Sequence, residues 1–422
     1  MFVGEFRKIL GIYFCSSIKH YVKKNWMETF FKCKKVMDIW EQEHLSMIGR
    51  VLILNIKVIP KIFYLLQSIE PVKYWQDRLN LQFSKFIGGG SSSIPLSILE
   101  WGRDRGGLGL FSIVQKARSL RFKFLKDFLC RLNSKELTPI NSILGYYLDI
   151  PIISRYRPNM AKTGQVCYGG DKKVIDRGNM RKSYFQCFLE DIAWYTKMED
   201  MYIGVDTWSQ KEFYKKLNEY EGNVIRRGNQ DLLKIYELHL SSDNEHKLWN
   251  KVFLKSLCTK IQSFNFKLVH GALPTMDEIG GKSTRFKNKF CYYCKEMLNF
   301  NYVETDVHVL LECSIAKAVW FRINDRLRAA HLDTIMVNKQ TIFYKIGMAT
   351  PQAHLVSEVN WALWTNRCSN VYDETLNSHF VVLKKLFYHL KLLSKVDKVL
   401  LSIRAYHNRW LGLNQAIEAL DI

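Results

Sequence analysis

The chain of 422 residues carries 62 Lys and Arg against 40 Asp and Glu, a formal net charge of +22. Hydrophobic residues make up 47% of it and aromatic residues 14%, which excludes a chain too polar to bury a core. The length is sufficient for two or three domains. Such a positive charge predicts a polyanionic partner, for which nucleic acid is favoured and an anionic membrane surface stays open.

The first residues and the cysteines indicate a reducing compartment. Residues 1–14 include Glu5, Arg7 and Lys8 and have no apolar core of a signal peptide. No uncharged apolar stretch reaches the ~20 residues that span a bilayer. We therefore expect an intracellular protein, in the nucleus or cytoplasm and not secreted, in which clustered cysteines are metal ligands before they are disulfides.

The N-terminal third is rich in cations and in helix-forming sequence. Residues 6–14 predict one short strand without an obvious partner, and residues 16–86 predict helices. Arg50, Lys57 and Lys61 fall on one narrow ridge at about 100° per residue. This ridge suits phosphate contact, or it is the solvated edge of a core helix. Pro60 should kink or end the helix locally.

Two glycine-rich segments follow, and then a basic helix. The run from Gly88 to Ser93 predicts a flexible break. Gly106–Gly109 predicts a tight turn, because the Lys-Ser/Thr of a phosphate-binding loop is absent. Residues 112–132 predict a helix with an apolar stripe at Ala117, Leu120, Phe124 and Phe128. The cations around that stripe are Lys116, Arg118, Arg121, Lys123, Lys126 and Arg131.

The remaining chain predicts a linker and further helices. Prolines and glycines are dense across residues 139–180, which indicates irregular structure. Residues 181–270 are amphipathic with mixed charge. Residues 376–410 predict a long basic helix whose leucines serve core packing, because Asp397 interrupts a coiled-coil seam. Those leucines are Leu383, Leu386, Leu390, Leu393 and Leu400.

One cluster of residues has metal-ligand spacing. Cys291, Cys294, His308 and Cys313 form the pattern C-x2-C-x13-H-x4-C. Zinc takes four such ligands in a tetrahedron, and protein fills every position, so no site is left for an activated water. The pattern predicts one structural Zn²⁺ site; the alternative is four cysteine and histidine side chains that share a region by chance.

Cations and aromatic residues alternate beside this cluster. Residues 281–295 contain five cations and no acid. Cations that hold phosphate beside rings that stack on bases are typical of single-stranded nucleic-acid recognition, and the alternative is a solvated face above a small core. The candidate contacts are Lys282, Arg285, Lys287, Lys289, Tyr292 and Tyr293.

The order of motifs resembles the C-terminal half of non-LTR (LINE-type) retrotransposon reverse transcriptases. Lys8–Phe14 is similar to the strand that closes the polymerase palm. Motifs similar to the thumb and to the stretch after it are Trp40, Leu45-Ser46, Gly49-Arg50, Pro60, Tyr64, Phe86-Ile87 and Gly106–Leu110. Leu268–Thr275 is similar to the lead-in to the family's zinc-binding region, followed by the four cluster residues. Trp361, Trp364 and Asn366-Arg367 are similar to its tryptophan-rich tail.

The resemblance implies a mainly α protein, with a helical thumb-like bundle, a linker and a helical C-terminal domain that carries a small zinc knuckle. The implied parts are a palm-strand remnant (1–15), a thumb-like domain (16–135), a linker (136–180), a helical connecting region (181–280), the knuckle region (281–330) and a helical C-terminal region (331–422). Nucleic-acid contacts would come from Arg50, Lys57, Lys61, Lys116, Arg121, Lys123, Lys126 and the knuckle cations.

The sequence also departs from the family. It contains no Asp-Asp dipeptide, whereas the family's palm holds its metals with adjacent aspartates. We expect a truncated chain that binds RNA, DNA or RNA–DNA hybrid largely through the backbone, without catalysis of its own. The alternatives are the non-catalytic part of a longer polymerase–endonuclease polyprotein, a basic scaffold or interaction protein, and a decayed retroelement copy without function.

Overall fold

The computed structural model describes residues 6–15, 18–69, 73–88, 94–133, 167–168, 173–174, 198, 207–228, 242–280, 286, 288–345 and 347–418. Over these residues the protein is mainly helical, as predicted. Among the described helices, none combines the length and apolar character needed to cross a bilayer. The predicted break at 88–93, apart from Gly88, and nearly all of the predicted linker at 136–180 lie outside the described residues.

In chain order, a first group of elements ends at residue 228 and a second group begins at residue 242. The first group is β1 (Arg7–Ile9), β2 (Ile12–Phe14), α1 (Ile18–Glu41), α2 (Met47–Ile53), a π-helical turn (Leu54–Val58), α3 (Pro60–Ser68), α4 (Lys73–Gly88), α5 (Leu96–Leu99), a 3-10 turn (Arg103–Arg105), α6 (Ile113–Asn133), β3 (Cys167–Tyr168), β4 (Lys173–Val174) and α7 (Gln210–Gly228). The second group is α8 (Ser242–Val252), α9 (Thr259–Val269), α10 (Met276–Ile279), α11 (Tyr292–Leu298), a second π-helical turn (His308–Glu312), α12 (Ser314–Ala329), α13 (Lys339–Tyr344), α14 (Thr350–Tyr372), α15 (His379–Leu400) and α16 (Ile403–Glu418).

The chain divides into two compact units. Unit 1 takes its described residues from Met1–Leu45, Gly49–Gly102 and Gly107–Gln230. Unit 2 takes its described residues from Ser46–Ile48, Arg103–Gly106 and Asp231–Ile422. The predicted thumb-like segment thus falls mainly in unit 1, and the predicted zinc cluster falls in unit 2.

The N-terminal segment is a hairpin, which corrects the prediction of one unpaired strand. β1 and β2 pair antiparallel, with Arg7 opposite Phe14. The two linking residues, Leu10 and Gly11, have φ of 48° and 86°. Positive φ at both central positions is the turn whose twist matches that of paired strands. The prediction was wrong because leucine occupies the first position of the turn, where asparagine or glycine would have indicated one.

A π-helical turn precedes Pro60. The Ile59 N–H donates to the Leu54 carbonyl at 2.8 Å, a bond across five residues instead of four. Proline has no N–H, and its ring would strike the carbonyl four residues back in a regular helix. The wider turn relieves both problems and lets Pro60 begin α3. It confirms a local break at Pro60 and alters the 100° spacing on which the predicted cationic ridge depended.

The predicted turn at Gly106–Gly109 is confirmed. Gly109 has a φ of 70° and donates its N–H to the Trp101 carbonyl at 2.7 Å. A side chain at Gly107 would overlap that same carbonyl oxygen. Close backbone approach therefore accounts for glycine at position 107, and positive φ accounts for glycine at position 109.

The core of unit 1 forms where α6 packs on α3 and α7. Ile113 and Ala117 of α6 are buried. Phe122 stacks on Phe213 of α7, with ring centroids 4.1 Å apart and planes 11° from parallel. This pair anchors α7 to the basic helix.

In unit 2, α14 is the central helix and packs on α9, on the second π-helical turn, and on α15 and α16. Its buried residues occupy several faces, which explains why it has no clear polar side. Leu383, Leu386 and Leu390 of α15 are buried, so the prediction of core packing is confirmed for them. Leu400 of the same pattern is 74% exposed.

Lys345 is fully buried in unit 2, where its Nζ donates to the Phe343 carbonyl at 3.4 Å and faces Asn265 Oδ1 at 3.5 Å. No carboxylate is among these contacts. Burial lowers the pKa of Lys345 from 10.5 to about 7, and the nearby ammonium of Lys251 adds to the effect.

Replacing Lys345 with methionine should therefore change how stability depends on pH. Between pH 7 and 10.5 the unfolded chain binds a proton at Lys345 that the folded chain does not, so the wild-type stability rises with pH in this window. From pH 7 to 9, the free energy of unfolding of the wild type should rise by up to about 1.4 kcal/mol per pH unit more than that of Lys345→Met. Urea unfolding at several pH values measures both slopes. Equal slopes for both proteins would contradict this. Lys384→Met, at an exposed site, is the control and should leave the slope unchanged.

Candidate metal centre

The four predicted ligands converge on one buried point of unit 2. The ligand atoms of Cys291, Cys294, His308 and Cys313 all lie within 4.8 Å of one another, and all four residues are buried. Cys294 Sγ is 3.7 Å from Cys313 Sγ and 3.4 Å from His308 Nε2. A zinc–sulfur bond of about 2.3 Å in a tetrahedron separates its ligand sulfurs by about 3.8 Å. The cluster therefore fits one structural zinc site with three thiolates and one imidazole.

The first two ligands come from the start of α11. Cys291 precedes the helix with extended backbone, and Cys294 lies in its first turn. The helix ends at Asn299, whose φ of 56° reverses the chain. The returning segment then pairs with the residues before α11: the Cys291 N–H donates to the Tyr302 carbonyl at 2.8 Å. This tight loop is the knuckle, residues 288–313.

The other two ligands depend on the second π-helical turn. In a regular α-helix, residues five apart point about 140° away from each other. Here the Cys313 N–H donates to the His308 carbonyl at 2.7 Å, which closes a wider turn and brings both side chains to the cluster. The Trp320 indole N–H donates to the Leu310 carbonyl at 2.9 Å and secures that turn.

Protons and zinc compete for these side chains. Hydrogen bonds with Cys291 and Cys313 lower the pKa of Cys294, whereas hydrogen bonds with Cys294 and Cys313 raise the pKa of Cys291. Burial lowers the pKa of His308, but its hydrogen bonds to Cys294 and Cys313 outweigh this and raise it to about 9. Zinc requires thiolates and a neutral imidazole, so its binding releases protons and weakens as the pH falls.

A buried ion pair holds the knuckle to α14. Arg367 donates from Nε and Nη2 to Glu304 Oε1, at 2.8 and 2.5 Å, and the Met276 N–H donates to the same oxygen at 2.8 Å. Glu304 is 1% exposed and Arg367 is 5% exposed. The family resemblance singled out Arg367 and missed Glu304, because a lone acid within the knuckle gives no signal of its partner 63 residues away.

The three predicted thumb cations differ in their exposure and contacts. Lys57 and Lys61 are exposed. Arg50 instead donates to the Phe86 carbonyl at 2.6 Å and lies over the Phe86 ring. The structure therefore leaves two of the three ridge residues facing solvent and turns the third toward α4.

Two cations of α6 are held inside unit 1. Arg121 is 3% exposed and donates to the Leu66 carbonyl at 3.3 Å, so its prediction as a surface phosphate contact needs correction. Lys116 Nζ lies 5.0 to 5.1 Å from the ring centres of Phe63, Phe111 and Tyr214. Burial lowers its pKa, and the three rings stabilise the cation that remains. Lys123 is exposed and Lys126 is partly exposed.

The structure describes only part of the predicted contacts at residues 282–293. Lys282, Arg285 and Lys287 lie outside the described residues. Lys289 is exposed and forms an ion pair with Asp277 at 3.2 Å. Tyr292 and Tyr293 line a small pocket beside the cluster together with Glu304 and Arg367. Both tyrosines are half-buried, whereas the prediction placed their rings at the surface for stacking on bases.

Comparison with known proteins identifies the region around the cluster. A family model described as zinc-binding in reverse transcriptase matches residues 232–320. That segment contains all four ligands. No curated protein matches the chain. The match and the convergence of the ligands together identify a reverse-transcriptase-associated zinc-binding region with one structural zinc site.

The purified chain should carry one zinc ion, and Cys294→Ser should lose it. Serine cannot supply the thiolate that joins the other ligands at the centre of the cluster. Metal content by mass spectrometry gives the stoichiometry, and thermal unfolding with and without chelator gives its effect on stability. The matched control is Cys258→Ser, an exposed cysteine outside the cluster. Equimolar zinc in Cys294→Ser would contradict the assignment.

Glu304→Gln should lower the free energy of unfolding by about 3 kcal/mol. The substitution leaves the buried Arg367 charge without its carboxylate, and removal of one partner from a buried pair is costly. Asp277→Asn breaks the exposed ion pair to Lys289 and should cost under about 1 kcal/mol. Denaturant unfolding of the two variants measures the difference. Similar small losses in both would show that the buried pair contributes little.

Proposed function

We propose that this chain is the nucleic-acid-binding part of a non-LTR (LINE-type) retrotransposon reverse transcriptase. In this role it holds template RNA, or an RNA–DNA hybrid, and leaves bond formation to a polymerase palm. The observation that carries the proposal is the zinc site itself. Its four ligands converge within the segment that matches zinc-binding in reverse transcriptase, and motifs similar to the same family precede and follow it in order.

The proposal gives each part of the chain a place in such an enzyme. Residues 1–15 end the palm, 16–135 form the thumb, 136–180 link, and 181–280 connect to the knuckle region at 281–330 and the helical tail at 331–422. The helices from α1 to α6 support a helical thumb. The zinc stabilises the knuckle fold and performs no chemistry, since protein groups occupy its four positions.

Charge supports backbone contact as the mode of binding. The chain has a net charge of +22, and residues 1–135 contain 23 Lys and Arg but only 10 Asp and Glu. Contacts from lysine to phosphate position a nucleic acid without reading its sequence. We assign these contacts in unit 1 to the exposed Lys57, Lys61 and Lys123.

One observation favours a second candidate function, an interaction scaffold. On the outward side of α15, Tyr388 is 65% exposed, Leu392 44% and Val399 83%, with Lys384 and Lys395 also exposed. A basic helix with an apolar outer stripe suits an anionic membrane surface or an acidic partner helix. Binding to anionic vesicles without binding to RNA would favour this candidate.

Replacing Lys57, Lys61 and Lys123 together with alanine should weaken RNA binding and flatten its salt dependence. Each lost phosphate contact on a single strand reduces the slope of log affinity against log salt by about 0.7, so the triple variant should lose about 2. Fluorescence anisotropy with a labelled single-stranded RNA at several salt concentrations gives the slope.

The control is a triple variant of the exposed Lys384, Lys385 and Lys395 on α15. It removes the same charge from a surface that the proposal does not use, and its slope should change less. Equal changes in both triple variants would show diffuse attraction and refute the thumb assignment. Absence of RNA binding by the wild type at low salt would refute the proposed function.

A further inference from the structure

The outer end of the knuckle exposes an apolar surface that the zinc site does not need. Five neighbouring residues are each about half exposed, although residues of these types are usually covered. They are Met297 at 53%, Leu298 at 44%, Phe300 at 56%, Tyr302 at 52% and Val303 at 45%. We call these five residues the knuckle tip.

Two aromatic rings of the knuckle tip lie side by side. The Phe300 N–H donates to the Cys294 carbonyl at 3.1 Å, and the Tyr302 carbonyl accepts the Cys291 N–H at 2.8 Å. These backbone bonds fix the segment that carries both rings. The ring centres of Phe300 and Tyr302 are 5.7 Å apart, with planes 49° from parallel.

The metal cluster supports the second ring. Tyr302 stacks on the imidazole of His308, with ring centres 5.6 Å apart and planes 27° from parallel. Since His308 is a zinc ligand, the metal indirectly fixes the orientation of Tyr302. A ring fixed before binding loses little conformational entropy when a flat partner stacks on it.

Cations accompany these rings. Lys289 and Lys295 are exposed, and their ion pairs to Asp277 and Glu296, at 3.2 and 3.5 Å, are at the surface. Surface pairs of this kind contribute little and can exchange for a phosphate. Exposed rings and exposed ammonium groups on the same knuckle match the chemistry of a single strand, whose bases have flat faces and whose backbone is anionic.

We propose that Phe300 and Tyr302 form a stacking platform for unpaired bases of single-stranded nucleic acid. The inference rests on the proposed function and deepens it, because it names the unpaired base as the group recognised at the knuckle. It also moves base contact away from Tyr292 and Tyr293, which line the inner pocket beside Glu304 and Arg367.

The test compares two oligomers of equal charge, a single-stranded RNA and the same ribose-phosphate backbone without bases. The full-length zinc-loaded protein is used as wild type, Phe300→Leu, and Phe300→Leu with Tyr302→Leu. Leucine keeps the surface apolar but removes the flat π face, so it separates base stacking from hydrophobic docking. Tyr388→Leu, an exposed ring on α15, is the matched control. Zinc content and the thermal midpoint confirm that each variant is folded.

The platform predicts that the double variant binds RNA about tenfold more weakly than the wild type. Phe300→Leu, which leaves the ring on His308 in place, should give part of that loss. Binding of the base-free oligomer should be unchanged in every variant, as should RNA binding by Tyr388→Leu. If wild type and leucine variants bind RNA equally well, the platform is wrong and the proposed function stands. If the wild type binds neither oligomer, both proposals fail.

Discussion

The convergence of four ligands from two separate turns is the constraint on which the knuckle depends. Cys291 and Cys294 meet at the start of α11, and His308 and Cys313 meet across a π-helical turn. Apart from the metal ligands, the knuckle buries only two apolar side chains, Val309 and Leu310, and much of its remaining apolar surface is exposed at its tip. Metal ligation therefore replaces a hydrophobic core as the source of order in this region. The buried pair of Glu304 with Arg367 extends that order to α14.

In unit 1, fewer cations are available to a partner than the net charge suggests. Arg121 and Arg50 donate to backbone carbonyls of their own unit, and Lys116 lies among three aromatic rings. These three cations stabilise the packing of helices and cannot also neutralise phosphates without rearrangement. Exposed lysines such as Lys57 and Lys61 need no such rearrangement, because their ammonium groups stay hydrated until a partner binds. Binding through this unit thus depends on fewer residues than the sequence suggests.

Sequence periodicity predicted the helices, and the spacing of the cysteines and the histidine predicted the ligand set, because both depend on spacing along one chain. It failed where the deciding partner is distant or where the turn is unusual. Leu10 is not a residue type that indicates a hairpin turn. The four residues between His308 and Cys313 do not by themselves indicate a π-helical turn. The inward side of α6 was predicted around Leu120, yet Arg121 is buried because the Leu66 carbonyl accepts its hydrogen bond. A residue's charge does not reveal such a partner in advance.

The most direct test of the zinc-bound knuckle's role is the affinity of the full chain for single-stranded RNA before zinc removal, after it, and after zinc is restored, at one salt concentration. If the zinc-bound knuckle holds nucleic acid, affinity should drop severalfold on stripping and recover fully with equimolar zinc. The number of lysines and arginines is the same in all three states, so their total charge alone cannot produce that cycle. Affinity that stays constant across all three states would show that the knuckle takes no part in binding and would contradict the proposed function of this region.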